Sequence, residues 1–418
     1  MEYDVIIIGA GASGIMAMCE LITAGYKVCM LEASGTIGGR IASIEGEGFN
    51  GNIATGAEFI HGNASLTLEL LKTANISYTA VSGNMISIKK GFWLSESGND
   101  NSMEDLSEKI SGLKEDCSIR HFLDTYYKEE KYKDIRKNTQ QLAEGFSLAD
   151  IDTASVKSFQ KDMSNLNEDD YRIEGGYQSL IKYLFENNRD KATVQFFSEV
   201  HNINYHKNEV TVHTKDGKEY TGNKLIITVS AGVLQSGDIN FNPALNEHAT
   251  AIEQLGFGSV IKVLFQFSEP FWEYISKDLG FALSDEAIPT WWTQMPQRTS
   301  LLTGWLGGNK ARKASQLSED ELSALALGSL SNIFKLDTRL LKTLLIYHKA
   351  ICWDKNPFVK GGYSFNTLKS EQAKKILRGP INNTIYFAGE AVYTGEFQGT
   401  VEAALVSGRD VVRNMIFE

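Results

Sequence analysis

The sequence has little of several things that would each mark out a function class. Its four cysteines, Cys19, Cys29, Cys117 and Cys352, are scattered. No two stand at metal-ligand spacing and nothing suggests a disulfide framework, so a reducing, cytoplasmic setting is expected. No run approaches the ~18 consecutive apolar residues that span a bilayer, so no membrane partner is expected. The opening MEYDVIIIGAG has no basic n-region and no cleavage site, and reads as a strand rather than a leader. The closing VVRNMIFE carries no anchor. Positive charge is also short: 41 Lys and Arg against 52 Asp and Glu give a formal net charge of -11. That argues against nucleic acid as a partner. It is compatible with a cationic ligand, although acidity by itself serves solubility. There is no internal repeat and no low-complexity tract.

What is there describes a soluble globular chain, with 42% hydrophobic and 22% charged residues. Its 418 residues predict two or three domains at ~100–200 residues each. The stretch VIIIGAGASG, Val5 to Gly14, carries the first chemistry. Tyr3 to Ile8 is β-branched and nearly uninterrupted, as a parallel strand buried on both faces requires. Gly9 allows a tight turn, Gly11 removes a Cβ that would block a phosphate, and Gly14 lets the next helix approach the sheet. Ala12 and Ser13 complete the turn. Ser13 to Ala24 reads as the helix, with Gly25 as its stop. YKVCMLE is a second strand ending in Glu32, followed by Ala33. A carboxylate at this distance holds the ribose hydroxyls of an adenosine and disfavours a 2′-phosphate. The free N–H groups of the helix start suit a pyrophosphate. The next segment, ASGTIGGRIAS, adds Gly38, Gly39 and Arg40, a second diphosphate-binding stretch that suits FAD better than NAD. Taken alone, it is also compatible with a glycine turn beside a surface arginine.

Further along, Leu94 to Gly112 reads as a loop leading into helices, and Ser102 to Leu184 as helix-rich. EVTVHTKDGKEYTG alternates around Asp216-Gly217 as a hairpin. KLIITVSAGVL and Gly258 to Phe267 read as strands, SEDELSALALGSLSNIF as an amphipathic helix, TIYFAGEA as a strand, and GTVEAALVSGRDVVRNMI as a helix. The expected fold is α/β: a discontinuous Rossmann-like FAD-binding domain with an inserted α+β substrate-binding domain of mixed sheet and helices. The segments 1–80, 185–255 and 354–418 are assigned to the first, and 81–184 and 256–353 to the second.

Several residues carry both a plain and a functional reading. Gly389 and Glu390 follow a strand, and the helix after Gly399 points its N-terminus where the negative charge of a reduced flavin ring would sit. Glu390 in its plain reading is a solvated acid. Lys262 interrupts an apolar strand. It either points to solvent on the alternate face or reaches the flavin through a water as an inward polar group. His61, between glycines in GAEFIHGN, is either a structural residue or a catalytic one. Trp291, Trp292 and Trp353 are core or pocket wall.

These motifs add up to a resemblance. VIIIGAGASG, LEASGTIGGR, GAEFIHG, EGGYQSLIKYL, LIITVSAGVL, GSVIKVLFQFSEPFW, CWDKNPFVKGGYS and YFAGEAVYTGEFQGTVEAALVSG occur in order. Together they make the chain similar, from end to end, to the FAD-dependent amine oxidases. That family includes monoamine and polyamine oxidases and the flavin-type histone lysine demethylases, and GAEFIHGN looks most like the polyamine-oxidase branch. The resemblance implies oxidation of an amine C–N bond by hydride transfer to FAD, imine hydrolysis, and reoxidation by oxygen to hydrogen peroxide. It implies that Glu32 holds the adenosine ribose and Arg40 the diphosphate. Gly56, Ala57, Glu58 and Phe59 would line the flavin, and Val200 would hold the adenine through its backbone. Lys262 would hold a water at the flavin's reactive edge, Trp353 would pack on the ring, and Glu390 would contact the ribityl and phosphate region. Thr400 and Val401 would lie beside the pyrimidine end.

The sequence departs from the family in two places. Relatives with covalent flavin carry a cysteine after the glycine pair where this chain has Tyr363, and Cys352 lies too far upstream, so non-covalent FAD is expected. Where monoamine oxidases frame the substrate with two tyrosines, this chain has Ser364 and Glu396. A cage would then come from Tyr393, Phe397 or Trp292, and Glu396 is offered as partner to a second ammonium of a polyamine. Three other functions fit the cofactor: a desaturase or porphyrinogen-type oxidase, an L-amino-acid oxidase using Arg298 for the carboxylate, and a flavin-binding interaction protein without catalysis.

Overall fold

A computed structural model describes residues 1–89, 91–94, 101–165 and 169–417. β1 (Tyr3–Ile8) lies between β2 (Val28–Leu31) and β3 (Glu219–Ile227), parallel to both. Layers cover it on both faces, which is why it is apolar in both side-chain directions. The sheet runs Thr193–Gln195, β2, β1, β3, Glu209–Thr214, Val200–His206, Asn240–Asn242, with Ile385–Phe387 also pairing β3 in parallel. The expected hairpin is there: Glu209–Thr214 pairs antiparallel with β3 across Asp216-Gly217.

Three helices cover one face: α1 (Ala12–Thr23), α2 (Tyr177–Glu186) and α3 (Val401–Phe417). They share a core that includes Ile15, Leu21, Leu180, Ile181, Leu405 and Val412. The expected boundary at 184/185 therefore cuts through α2, whose apolar stripe is buried with that of α1. α3 meets the start of α1 backbone to backbone: a Cβ on Gly408 would lie 2.2 Å from the Ser13 carbonyl oxygen. It also supplies a buried carboxylate to a neighbour. Glu402 accepts from Leu66 N–H at 2.9 Å and from Thr67 N–H at 2.8 Å. It thereby caps the helix Ser65–Ala74, whose own N-cap residue, Ala64, offers no side-chain acceptor.

A second, seven-stranded sheet is built around β4 (Val260–Phe267), antiparallel to Leu301–Gly307 on one side and Leu345–Cys352 on the other. The helix Glu319–Phe334, opened by a Ser318–Glu321 capping box, packs on one face through residues such as Leu322 and Leu330. Every residue of β4 is buried. A small third sheet joins Phe59–His61 and Tyr78–Ala80 to Asp170–Ile173.

A further group of helices has its own core, including Leu106, Phe122, Ala143 and Phe159. Here the sequence reading needs a correction. Asn101–Ser111 is a helix rather than a loop, because Leu106 and Ile110 are buried one turn apart on one face. The part of that expected loop at 95–100 lies outside the described residues. Among the described residues no helix is long and apolar enough to cross a membrane, and no group of acids, histidines and cysteines is arranged to hold a metal.

Candidate active site

A cavity of about 1280 Å³ runs from the turn after β1 to the inner face of β4. At its first end stand Gly9, Gly11, Ala12 and Ser13. The glycines act as their spacing predicts. A Cβ on Gly11 would meet nothing closer than 3.9 Å, so the backbone there is open to a ligand. A Cβ on Gly14 would sit 2.0 Å from the Gly9 carbonyl oxygen, and Gly14 lies behind the turn rather than on the cavity wall. Glu32 lines the cavity with Ala33, its carboxylate held by Ala10 N–H at 2.8 Å and by Ser34 N–H at 2.8 Å. The Ser13 hydroxyl oxygen is buried and meets no partner among the described residues. Open glycines, an oriented acid and an unmet hydroxyl at a helix start fit the diphosphate and ribose of a dinucleotide cofactor.

Arg40 comes next along the wall. It donates to Glu390 Oε1 at 2.6 Å and to the Gly362 carbonyl at 2.9 Å. Glu390 is buried and accepts from the Ser364 hydroxyl at 2.5 Å through its other oxygen. The two diphosphate-side candidates are thus joined to each other, which disposes of the solvated reading of Glu390. Gly39, Val200 and Gly389 also line this part, and at Gly389, with φ +140°, a Cβ would meet nothing within 4 Å.

At the far end is a buried cluster of charges. Lys262 is 1% exposed and points inward from β4. Its ammonium donates to the Ala54 carbonyl at 2.7 Å, the Gly56 carbonyl at 3.4 Å and Glu58 Oε2 at 2.7 Å. Glu58 Oε1 accepts from Arg172 Nε at 3.2 Å and from the Trp292 indole at 3.1 Å. Burial pushes the Glu58 carboxyl up, but the charges of Lys262 and Arg172 and the hydrogen bonds from Lys262 and Trp292 outweigh it and hold it below the usual carboxylate range. For Lys262 burial wins over the pull of Glu58, and its ammonium is held below the usual lysine range. Arg172 lies over the Phe59 ring, 4.7 Å from its centroid.

Aromatic rings form the walls between the two ends. Trp292 contacts Phe59 at 5.7 Å and Trp305 at 5.9 Å. Trp305 in turn stacks on Tyr363 at 6.5 Å, with the planes 24° apart. The Tyr363 hydroxyl donates to the Phe146 carbonyl. Trp353 is buried, its indole donating to the Thr55 carbonyl at 3.2 Å. His61 lines the cavity with its Nδ1 2.8 Å from Asp170 Oδ1.

Most sequence-derived candidates therefore meet in one cavity. Gly56, Ala57, Glu58, Phe59, Ser364, Glu396, Phe397, Gly399, Thr400 and Val401 line it as well. Tyr393 does not; its hydroxyl is turned over Gly395. Arg298 is elsewhere too, exposed and paired with Glu273 and Asp278, so it has no part in binding a carboxylate here. Among the described lining residues there is no cysteine. Sequence reasoning missed Arg172, Trp305, Phe146 and Asp162. The polar ones read as solvated positions on a short strand and an amphipathic helix, and only their distant partners reveal them.

Comparison with known proteins gives a consistent outcome. The family pattern described as "Flavin containing amine oxidoreductase" matches residues 85–416, and "NAD(P)-binding Rossmann-like domain" matches 7–73. "Lysine-specific histone demethylase 2" of Homo sapiens is 28% identical over 97% of this chain, and "Polyamine oxidase 3" of Oryza sativa subsp. japonica is 24% identical over 97%. The chain spans 52% of the demethylase and 88% of the polyamine oxidase; it is thus about half the length of the demethylase it matches. A solved structure of putrescine oxidase bound to putrescine superposes with a TM-score of 0.84, covering 100% of both chains at 18% identity, which speaks to the fold.

Proposed function

The chain belongs to the flavin-containing amine oxidoreductases, and from that premise we propose that it is an amine oxidase acting on the C–N bond of a primary or secondary amine. The observation that carries this reading is the continuity of one cavity, from an open glycine turn with an oriented Glu32 to an aromatic chamber closed by Lys262, Glu58 and Trp292. The cofactor is FAD. Glu32, Arg40 and the turn Gly9 to Ser13 hold its adenosine and diphosphate side in this proposal, with Val200, Gly389, Glu390, Gly399, Thr400 and Val401 along the rest. Tyr363 stands where covalent relatives have cysteine and no described cysteine lines the wall, which supports non-covalent binding. The division into a FAD-binding and a substrate-binding part is proposed as well, with α2 counted in the first because its core is that of α1.

What FAD supplies when bound is an acceptor for a hydride equivalent from the carbon beside the amine nitrogen, and a route for the electron pair to oxygen, giving hydrogen peroxide. The residues prepare the amine. An ammonium has no lone pair to drive this transfer, so it must first lose its proton. Walls of Trp292, Trp305, Phe59 and Tyr363 strip water from it and lower its pKa, as burial does for lysine. No side-chain base is then required. Lys262, with its Nζ fixed by carbonyls and Glu58, keeps a positive charge beside the reacting region. The imine product is hydrolysed by water.

The test is anaerobic bleaching of the yellow protein by a panel of amines, with hydrogen peroxide measured on readmission of air. Bleaching by amines but not by α-amino acids or porphyrinogens supports the reading; a flavin that no amine reduces overturns it. The demethylase relatives favour one second reading, in which the amine is an N-methyl-lysine of a peptide. Methylated lysine peptides belong in the panel for that reason.

A further inference from the structure

Three cations at the cavity are matched by acids: Lys262 and Arg172 share Glu58, and Arg40 is joined to Glu390. Lys374 is different. It stands on the helix Ser370–Arg378, only 2% exposed, and among the described residues no carboxylate pairs with it. What it holds is two side-chain amides. Its ammonium donates to Asn366 Oδ1 and to Gln398 Oε1, both at 2.8 Å. Burial pulls that ammonium down to about 8, with Glu390 and Asp162 pulling back, so at neutral pH it is mainly charged. A buried charge without a paired counter-charge is costly, and such departures collect at functional sites. Its base is fixed: Ala373 and Leu377 of the same helix share a core with Ile385 and Phe387, on the strand that runs on to Gly389 and Glu390.

An ammonium has donors only. It therefore settles which way round both amides stand, a choice set by hydrogen-bond partners alone. Asn366 turns its oxygen to Lys374 and its nitrogen to the Ser158 hydroxyl, 2.6 Å away. Gln398 also turns its oxygen to Lys374, and it lines the cavity, but its nitrogen meets no acceptor among the described residues. That NH₂ group is a donor held ready for a ligand. Gln398 directly precedes Gly399, Thr400 and Val401, which line the cavity too. The Thr400 hydroxyl, bonded to the Phe397 carbonyl at 2.6 Å, accepts from Ala403 N–H at 3.2 Å and so caps the first turn of α3. A donor beside this helix start serves the same negative charge as the helix does. Its hydrogen bond strengthens when the acceptor gains charge on reduction.

We propose that Lys374 is a positioning residue: it locks the Gln398 amide as a hydrogen-bond donor to a carbonyl oxygen of the bound flavin, and through it favours reduced over oxidised FAD. The proposal rests on the placement of the flavin in the reading above. The experiment measures the two-electron midpoint potential of the bound flavin and the Kd for oxidised FAD, with no amine present. It compares wild type, Lys374→Met, Lys374→Arg, Gln398→Met, the double variant Lys374→Met/Gln398→Met, and Lys375→Met on the exposed side of the same helix. In Lys374→Met and in Gln398→Met, reduced FAD is held about 10-fold less tightly relative to oxidised FAD, a fall of about 30 mV in potential. The double variant falls no further than either single one, because both act on one hydrogen bond. Lys374→Arg, again a donor only, restores part of the loss, and Lys375→Met changes nothing. A potential that stays put while FAD binding weakens is a purely structural effect; a potential that stays put while KM for amines rises sets the donor against substrate. Either result, an equal shift in Lys375→Met, or shifts that add in the double variant, overturns the inference alone. Should Lys374→Met not fold, Gln398→Met decides by itself, since it removes the donor and keeps the buried charge. A wild type that takes up no flavin overturns the underlying reading with it.

Discussion

Glu58 sits between a fully buried cation, Lys262, and a partly buried one, Arg172, and that makes its replacement unequal to theirs. Glu58→Gln keeps the shape but leaves Lys262 and Arg172 facing each other without the negative charge that joins them. Breaking a buried pair from one side costs ~3–5 kcal/mol. Lys262→Met is milder, because Glu58 is still matched by Arg172. What it leaves is two carbonyls, of Ala54 and Gly56, without their donor, at ~1–3 kcal/mol. An unfolding entropy of ~2.1 cal/mol/K per residue gives the 418-residue chain about 0.9 kcal/mol/K. Tm should then fall by about 3–6 °C for Glu58→Gln and about 1–3 °C for Lys262→Met. The double variant removes one of the two unmatched cations and should be more stable than Glu58→Gln alone. Far-UV circular dichroism melts at one scan rate and fixed FAD excess measure all four proteins. The deficit of Glu58→Gln should also shrink as pH rises. The Lys262 ammonium is held below its ordinary range by burial, so the unfolded chain binds that proton more tightly, and stability is regained as pH climbs past the folded value. If Lys262→Met melts lower than Glu58→Gln, and the double variant loses the sum of the two, the charge-balance argument is wrong.

Three other outcomes are expected. Lys262→Met, with FAD still bound, should slow anaerobic reduction or aerobic reoxidation by about 10²-fold or more, and unchanged stopped-flow traces would take Lys262 out of the chemistry. Gly11→Ala should fold but purify nearly colourless, since its Cβ meets only open space where the proposal puts a phosphate; Gly14→Ala should lose soluble yield, its Cβ being driven to 2.0 Å from a carbonyl oxygen. The ratio of 450 to 280 nm absorbance and the circular dichroism spectrum separate these two cases. Acid precipitation of the holoprotein should leave the flavin in the supernatant as intact FAD; yellow pellet would refute non-covalent binding.

The nucleotide end was legible because its signal is local. Strand, glycines, helix and Glu32 fall within a single crossover, and each residue type answers a backbone requirement there. Lys262 was ambiguous for the opposite reason. Alternation along a strand places a lysine on one face or the other, and only the second layer, here the cavity and Glu58, says which face is dry. Arg172 and Asp162 had no signal of their own. Arg172 acquires meaning from Phe59 and Glu58 across a three-stranded sheet, and Asp162 from a serine on a neighbouring segment. Of the rings expected to form a cage, Trp292 and Phe397 line the wall and Tyr393 does not; Tyr363 lines it too, and Trp305 joins them through a strand pairing that composition cannot reveal.

The carboxylate of Glu402 reaches Leu66 across 336 positions of chain. On a ribosome, the helix Ser65–Ala74 emerges long before the acid that completes its first turn, and β1 waits for its partner strand β3, Tyr3 pairing with Gly222. Until then β1 can pair only with β2, and its other edge must stay soluble while the middle of the polypeptide is still being made. Cofactor capture is then a late event in the life of each molecule, and a chain cut short before α3 keeps every strand of the first sheet but leaves the core shared with α1 and α2 without Leu405 and Val412, an apolar face for chaperones and proteases to deal with.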